Sequence, residues 1–383
     1  MRIAHIIDEP YDSGITRYAL RAAAGLAERG HPSIVWGVMG SFAIQEAERL
    51  GLPTQGYTHP WLNLAPLRKS FGEAGCDAVV AHTGSAHTLA IALASWHGTR
   101  IQRLLEGHGA VPHPMARMGH GMRHGRSIPV LRTRGDSRPI RRRPGQRLLW
   151  SRTAGLIAAN RTILSEFERL CPVPGLHSAC IYEGSEDPGS FLPPMAGAPL
   201  VGIVSRLDPV KGHGVFLRAA KLVLERHPDT RFLLVGRKEN VKPAELLEEA
   251  HRLGLAERIE LTGHVPDVFS YMRRCHVGVI ASVGSEAVSR AAVEWMAVGR
   301  PLVATRVGCL PEYVADGETG LLVEPREEEP LARAIGSLVG DSYLRERMGR
   351  QARARFESLF TLRRFLDETE RFYGRVIGTL SPR

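Results

Sequence analysis

Residues Val277 to Pro325 read VGVIASVGSEAVSRAAVEWMAVGRPLVATRVGCLPEYVADGETGLLVEP. The apolar run Val277 to Ala281, with two valines and an isoleucine, has the length and composition of a buried strand. Ser282 to Ser285 reads as a turn, and a helix is expected from there to about Val298. Gly299 sits where a helix C-cap belongs, and Pro301 blocks continuation. Leu302 to Thr305 is a second buried strand. Strand, helix and strand in that order form one unit of a parallel sheet.

Two carboxylates belong to this unit. Glu286 is expected at the mouth of the helix and Glu294 eight residues later. On one helix they would lie about 12 Å apart along the axis. Hydrolytic carboxylate pairs sit roughly 5–9.5 Å apart across a single glycosidic bond. The spacing instead suits two handles on one extended ligand, with the backbone N–H groups of Ala287 to Ser289 between them at a helix N-terminus that attracts anions. Two solvated helix glutamates are the plain alternative.

The same pattern continues outward. Glu-x7-Glu is followed by Met-Ala-x-Gly-x-Pro-Leu-Val-Ala-Thr, then Gly308, Pro311-Glu312 and Asp316-Gly317-Glu318-Thr319-Gly320-Leu321-Leu322. Over about fifty residues this resembles the donor-site signature of retaining glycosyltransferases of family four. The resemblance implies that Glu286 contacts hydroxyls of the transferred sugar and that Glu294 holds the nucleotide ribose. The chain departs from the family's Glu-Gly-Phe-Gly-Leu start with Glu286-Ala287-Val288-Ser289-Arg290. Side chains thus replace two glycines, and Val288 and Ser289 fall among the donor contacts.

Upstream, Leu200 to Val204 reads as a buried strand, followed by Ser205-Arg206-Leu207-Asp208-Pro209-Val210-Lys211-Gly212. Arg206 and Lys211 at a strand–helix turn are two cations where a diphosphate would sit, Arg offering a fork and Lys a point charge. An exposed basic loop is the alternative. The family resemblance, which places Arg-x4-Lys-Gly here, favours phosphate. It also implies that the Gly236 turn after Arg231 to Val235 passes near the phosphates. Backbone around His264 and Val265, after the Ile259 to Thr262 strand, would meet the nucleobase. Helices are expected over Glu327 to Val339, Ser342 to Glu357 and Leu362 to Val376, the last crossing back to the N-terminal domain.

The first half alternates in the same way. Strands are expected at Arg2 to Ile7, Ser33 to Val38, Ala78 to Ala81, Ile101 to Leu105, Leu156 to Ala159 and Cys180 to Glu183. Helices are expected at Thr16 to Arg29, Phe42 to Leu50, Ala86 to Trp96, Gln146 to Arg152 and Asn160 to Leu170. Such alternation gives a doubly wound sheet with ligands at the C-terminal strand edge. Gly14 lies in the first turn, which the resemblance places beside the donor diphosphate, and Arg17 is a candidate acceptor contact or a surface residue. His108, flanked by glycines at a strand end, matches the family's histidine near the donor sugar. His82 reads as structural or acceptor-side. Val111 to Pro144 lacks periodicity, with Ile128 to Thr133 a short extended piece. A loop this long is usually functional or mobile.

Composition bounds the rest. At 383 residues the chain accommodates two domains, and 43% hydrophobic with 23% charged residues is that of a folded, soluble protein. Five scattered cysteines without a CxxC pair argue against a zinc site or a disulfide scaffold. The formal charge is +10, and eleven arginines face one acid, Asp136, between His113 and Arg152. Such a block is a solvated face or an anion-binding surface. Arg132 and Arg134 within it are candidate acceptor contacts.

The expectation is an α/β protein of the GT-B fold, two Rossmann-like doubly wound domains facing a cleft. The divisions are 1–190 for the acceptor, 191–360 for the donor and 361–383 for the returning helix. The resemblance implies retaining transfer of a hexose or heptose from a nucleotide sugar to a glycan or lipid-linked acceptor. His108, Arg206, Lys211 and Glu286 would be the catalytic residues, with no metal or other cofactor. The resemblance extends to bacterial enzymes of surface-polysaccharide and lipopolysaccharide synthesis. The expected location is the cytoplasm, with peripheral contact to an anionic membrane surface. A sugar-nucleotide epimerase or phosphorylase of the same fold is the alternative. A nucleic-acid binder is disfavoured because no binding motif with stacking aromatics accompanies the arginines.

Overall fold

The computed structural model describes residues 1–61, 64–95, 128–136, 145–189 and 197–379. The chain divides into unit 1, Met1–Ile181 with Leu366–Arg383, and unit 2, Tyr182–Phe365. The sequence divisions at 190/191 and 360/361 fall within ten residues of these boundaries. Of the proline-rich stretch Phe191 to Pro199, which the sequence suggests as the linker, residues 191–196 lie outside the described residues.

In unit 1, β1 (Ile3–Ile7), β2 (Ser33–Val38), β3 (Thr54–Tyr57), β4 (Ala78–Ala81), β5 (Val130–Arg134), β6 (Gly155–Ala158) and β7 (His177–Cys180) form a parallel sheet ordered β3-β2-β1-β4-β5-β6-β7. The order reverses between β1 and β4, the switch point at which such sheets place ligands. β1 and β4 are buried along their whole length and, His5 apart, are made of apolar residues. Three elements differ from expectation. β3 is an edge strand with only Tyr57 buried, so Thr-Gln-Gly-Tyr carries no apolar signal. The extended piece near Ile128 is an interior strand, β5, hydrogen-bonded to β4 and β6. The expected strand Cys180 to Glu183 instead ends at Cys180. The expected strand Ile101 to Leu105 lies outside the described residues.

Ser13 caps the first helix, Gly14–Glu28, by accepting from the Thr16 amide at 3.2 Å. Gly14 is therefore the first helical residue and not part of the preceding turn. From Leu366 the Leu362–Thr379 helix belongs to unit 1. Arg29 pairs with Asp367 at 2.7 Å and with Glu370 at 3.2 Å, and His31 bonds Glu370 at 2.8 Å. Phe372 and Val376 are buried against Gly155 of β6, where a Cβ would lie 3.1 Å from the Phe372 ring.

Beside the unit 1 switch point, His5 of β1 and His82 after β4 stack with centroids 5.4 Å apart and share a 3.1 Å hydrogen bond, both fully enclosed. Burial lowers His5 to about 3 and holds His82 well below its ordinary value. His82 is thus a sealed core residue. An unfolded histidine titrates near 6.5, so the stabilisation from keeping His5 neutral is complete above that pH. It is lost as pH falls from 6.5 towards 3. At pH 5 the loss is about 2 kcal/mol for one such group. His5→Val should therefore flatten the fall in thermal midpoint between pH 7 and pH 5. An equally steep fall in the variant would rule this out.

In unit 2, β8 (Leu200–Val204), β9 (Arg231–Val235), β10 (Ile259–Gly263), β11 (Val277–Ile280), β12 (Leu302–Thr305) and β13 (Gly320–Val323) form a second parallel sheet ordered β10-β9-β8-β11-β12-β13. Its switch point falls between β8 and β11, where Gly202 pairs with Gly278 in register. A Cβ at Gly278 would lie 2.5 Å from the Trp295 ring, and one at Gly202 would lie 2.8 Å from it. The two adjacent glycines let this buried indole lie flush on the sheet, which seats the helix that carries Glu294.

That helix is shorter than expected. It runs Arg290–Ala297, so residues 281–289 are loop and Glu286 is not at a helix mouth. The cause is local. The Glu286 carbonyl accepts from the Cys309 amide at 2.7 Å instead of entering a helical ladder. Among the described residues no helix is long and apolar enough to cross a membrane.

Candidate functional site

The loops after β8 and β11 are fastened to each other at the switch point of unit 2. After β8, Asp208 caps a short 3-10 turn, Pro209–Lys211, by accepting from the Val210 amide at 2.9 Å. Asn240 donates to the other Asp208 oxygen at 2.7 Å. Gly212 then adopts φ +70°, and a Cβ there would lie 1.9 Å from the Ala281 carbonyl oxygen. No other residue fits that backbone or that gap. The Val283 amide donates to the Val210 carbonyl at 2.8 Å, closing the seam.

This seam brings Lys211 to Glu286. The Lys211 ammonium donates to Glu286 Oε1, and Ser282 Oγ donates to the same oxygen at 2.5 Å. The Glu286 side chain is 3% exposed and that of Lys211 19% exposed, so the carboxylate sits inside and the ammonium reaches it from the edge. A buried carboxylate needs such partners to remain charged. Glu294, also buried, has its own cation, with Arg290 Nη2 donating to Oε1 at 3.0 Å. Each of the two glutamates therefore carries one basic partner.

Arg206 behaves differently from Lys211. It is exposed, lying 4.0 Å from Asp208 and 4.0 Å from Glu239. The two cations expected to converge have separate partners in this state. Gly236, expected beside phosphate, is demanded first by packing, because a Cβ would lie 1.7 Å from the Ser205 carbonyl oxygen. Past β10, His264 is exposed and Val265 half-buried. Ser289 is buried and Val288 half-buried in the loop after Glu286.

The unit 1 residues are held more tightly by their own surroundings. Arg17 makes a two-point contact with Asp12, both bonds 2.6 Å, and lies over the Phe42 ring. Arg132 is buried on β5 and donates to the carbonyls of Ala81 (3.2 Å) and Thr133. Its guanidinium is engaged by these two carbonyls. Arg134, largely buried, lies 3.9 Å from Asp136. His108 and most of the arginine block, Arg141 to Arg143 included, lie outside the described residues.

Three residues near the site escaped the sequence reading. Ser282 was read only as turn, although it stands four residues before Glu286. Arg290 stands at i, i+4 from Glu294, a spacing that signals an ion pair on a helix. His213 opens the His213–Leu224 helix two residues after Lys211 and shares a 3.1 Å hydrogen bond with Ser205 Oγ. Burial pushes it down to about 4, so it is neutral at pH 7.

Residues 198–341 match the family described as Glycosyl transferases group 1. Among curated proteins, the D-inositol 3-phosphate glycosyltransferase of Nocardia farcinica is 37% identical over 162 residues, 41% of this chain and 36% of that protein. The corresponding protein of Paenarthrobacter aurescens is 34% identical over 182 residues, 46% of this chain and 44% of that protein. The chain thus spans less than half the length of these curated relatives. Among solved structures, a glycosyltransferase from Rickettsia africae superposes with a TM-score of 0.80 at 18% identity, covering 98% of both chains. Anabaena Alr3699/HepE in complex with UDP gives 0.78 at 20% identity, covering 98% of this chain and 100% of that one. The family match thus falls within unit 2, and the chain has the α/β GT-B fold with two Rossmann-like domains.

Proposed function

We propose that the protein is a retaining glycosyltransferase that moves a hexose or heptose from a nucleoside diphosphate sugar to an acceptor hydroxyl. The observation that carries this reading is the Lys211–Glu286 pair at the unit 2 switch point. An ammonium suited to a diphosphate there lies beside a buried carboxylate suited to sugar hydroxyls. In this reading Lys211 leaves Glu286 for the diphosphate and acts with Arg206 to neutralise the leaving group, an electrostatic contribution often the largest in catalysis. Glu286 accepts from the sugar, Glu294 holds the ribose, and backbone at His264 and Val265 meets the base. Transfer occurs on one face of the sugar without an enzyme nucleophile, metal or other cofactor. A UDP-linked donor is favoured by solved neighbours whose complexes hold UDP and UDP-glucose.

The acceptor belongs with unit 1 and its arginine block, whose charge suits an anionic glycan or a lipid at an anionic membrane surface. Relatives named for an inositol phosphate acceptor are consistent with an anionic hydroxyl compound. Synthesis of cell-surface glycan or lipopolysaccharide in the cytoplasm is the proposed setting.

Calorimetry with UDP, GDP and ADP tests the donor site. Lys211→Ala should weaken the nucleotide that binds wild type by about 10- to 150-fold, the equivalent of one charge-assisted contact of about 1.5–3 kcal/mol. Unchanged affinity for all three would remove Lys211 from the site.

A further inference from the structure

We propose that Ser282 is a positioning residue that holds Glu286 in place while Lys211 is away on the donor diphosphate. The inference rests on the nucleotide-sugar reading above and deepens it. In this structure Glu286 Oε1 accepts from both Lys211 and Ser282, whereas Oε2 has no hydrogen bond among the described residues. One oxygen is fixed and the other is left for a sugar hydroxyl. Lys211 cannot hold Glu286 and a diphosphate with the same geometry, so donor binding removes one of the two bonds that fix the carboxylate.

Ser282 has no such competing task. Its side chain is uncharged and the residue is wholly buried. Its own backbone is held by Thr305 of β12, whose Oγ1 donates to the Ser282 carbonyl at 2.7 Å. Thr305 also lies 3.5 Å from the Ile280 carbonyl, so the start of the loop is tied to the end of β11. Thr305 thus anchors the Ser282 backbone to the sheet, and the Ser282 hydroxyl reaches Glu286 without passing through Lys211. When the ammonium leaves, this link keeps Oε1 occupied and Oε2 presented. It confers precision on the carboxylate without touching the donor.

Hydrolysis of UDP-, GDP- and ADP-glucose, with water in place of the acceptor, supplies the assay. The bond from the sugar C1 to the diphosphate oxygen breaks, a bond from C1 to the water oxygen forms, and the water proton is released. Ser282→Ala should lower kcat by roughly ten- to a hundredfold, the scale of a small misplacement of a reacting group. The Kd of the bare nucleoside diphosphate should stay within about twofold, because Ser282 acts only through Glu286. In a Glu286→Gln background the same substitution should cost less than about twofold, the non-additivity expected of two residues acting as one. Ser282→Cys, nearly isosteric and a weak donor, guards against a folding defect and should lose rate in the same direction.

A Ser282 loss that is fully additive in the Glu286→Gln background overturns the inference. So does an unchanged kcat, or a nucleotide Kd that weakens in step with the rate. Wild-type protein that binds none of the nucleotides and hydrolyses none of the donors instead overturns the nucleotide-sugar reading, and this inference with it.

Discussion

Glu286→Gln should lower sugar transfer by about 10²–10³-fold, on the scale of removing one preorganised electrostatic contact, yet tighten binding of bare UDP. The two effects have one cause. Lys211 is paired with Glu286, so on the proposed reading a diphosphate must break that pair before it gains the ammonium. The glutamine keeps the shape but removes the charge, and Lys211 is released. A gain of about three- to tenfold in nucleotide affinity is expected, roughly 0.7–1.4 kcal/mol. Transfer suffers because a neutral amide accepts more weakly from the sugar hydroxyls. Lys211→Ala should behave in the opposite way towards the nucleotide. If calorimetry finds that both substitutions weaken UDP alike, the pair does not compete with the diphosphate.

Gly308→Ala should be among the most damaging small substitutions in unit 2. Gly308 has φ +56°, and a Cβ would lie 2.0 Å from the Glu286 carbonyl oxygen and 2.6 Å from its carbon. Both sides of this contact are backbone, so no side chain can swing away. Left-handed backbone costs about 1–2 kcal/mol and overpacking about 1–3 kcal/mol. The sum of about 2–5 kcal/mol corresponds to a drop of roughly 4–20 °C in the thermal midpoint of a domain this size. Gly317→Ala is the control, because Gly317 has φ +77° but nothing within 4 Å of its Cβ. It carries the backbone strain without the clash. Gly308→Ala should also displace Glu286 and lose transfer. Melting within about 2 °C of the Gly317 variant would show that the loop yields.

Much of this was legible in the sequence, and the reason is physical. Strands of a covered parallel sheet are apolar throughout, so Leu200 to Val204, Arg231 to Val235 and Leu302 to Thr305 read with the bounds that they have. β3 did not, because an edge strand with polar residues looks like a turn. Glu286 and Glu294 were legible as a pair from their spacing. The pairing of Glu286 with Lys211 was not, because it spans 75 residues of sequence. Nor could the helix start be read, since it depends on the Cys309 amide capturing the Glu286 carbonyl. Arg132 looked like part of an anion-binding block. Only the neighbouring strand β4, through the Ala81 carbonyl, makes it a core residue.

The Leu362–Thr379 helix sets an order of assembly during synthesis. Unit 1 draws on two separate stretches of chain, whereas Tyr182–Phe365 is continuous. The sheet of unit 1 leaves the ribosome first but lacks the cover that Phe372 and Val376 give to Gly155 of β6. Unit 2 can close on itself as soon as it emerges, so the half made first is completed last. A nascent chain halted shortly after Phe365 should show a protease-resistant Tyr182–Phe365 body beside a cleavable N-terminal half. Equal resistance of both halves would mean that unit 1 does not wait for its final helix.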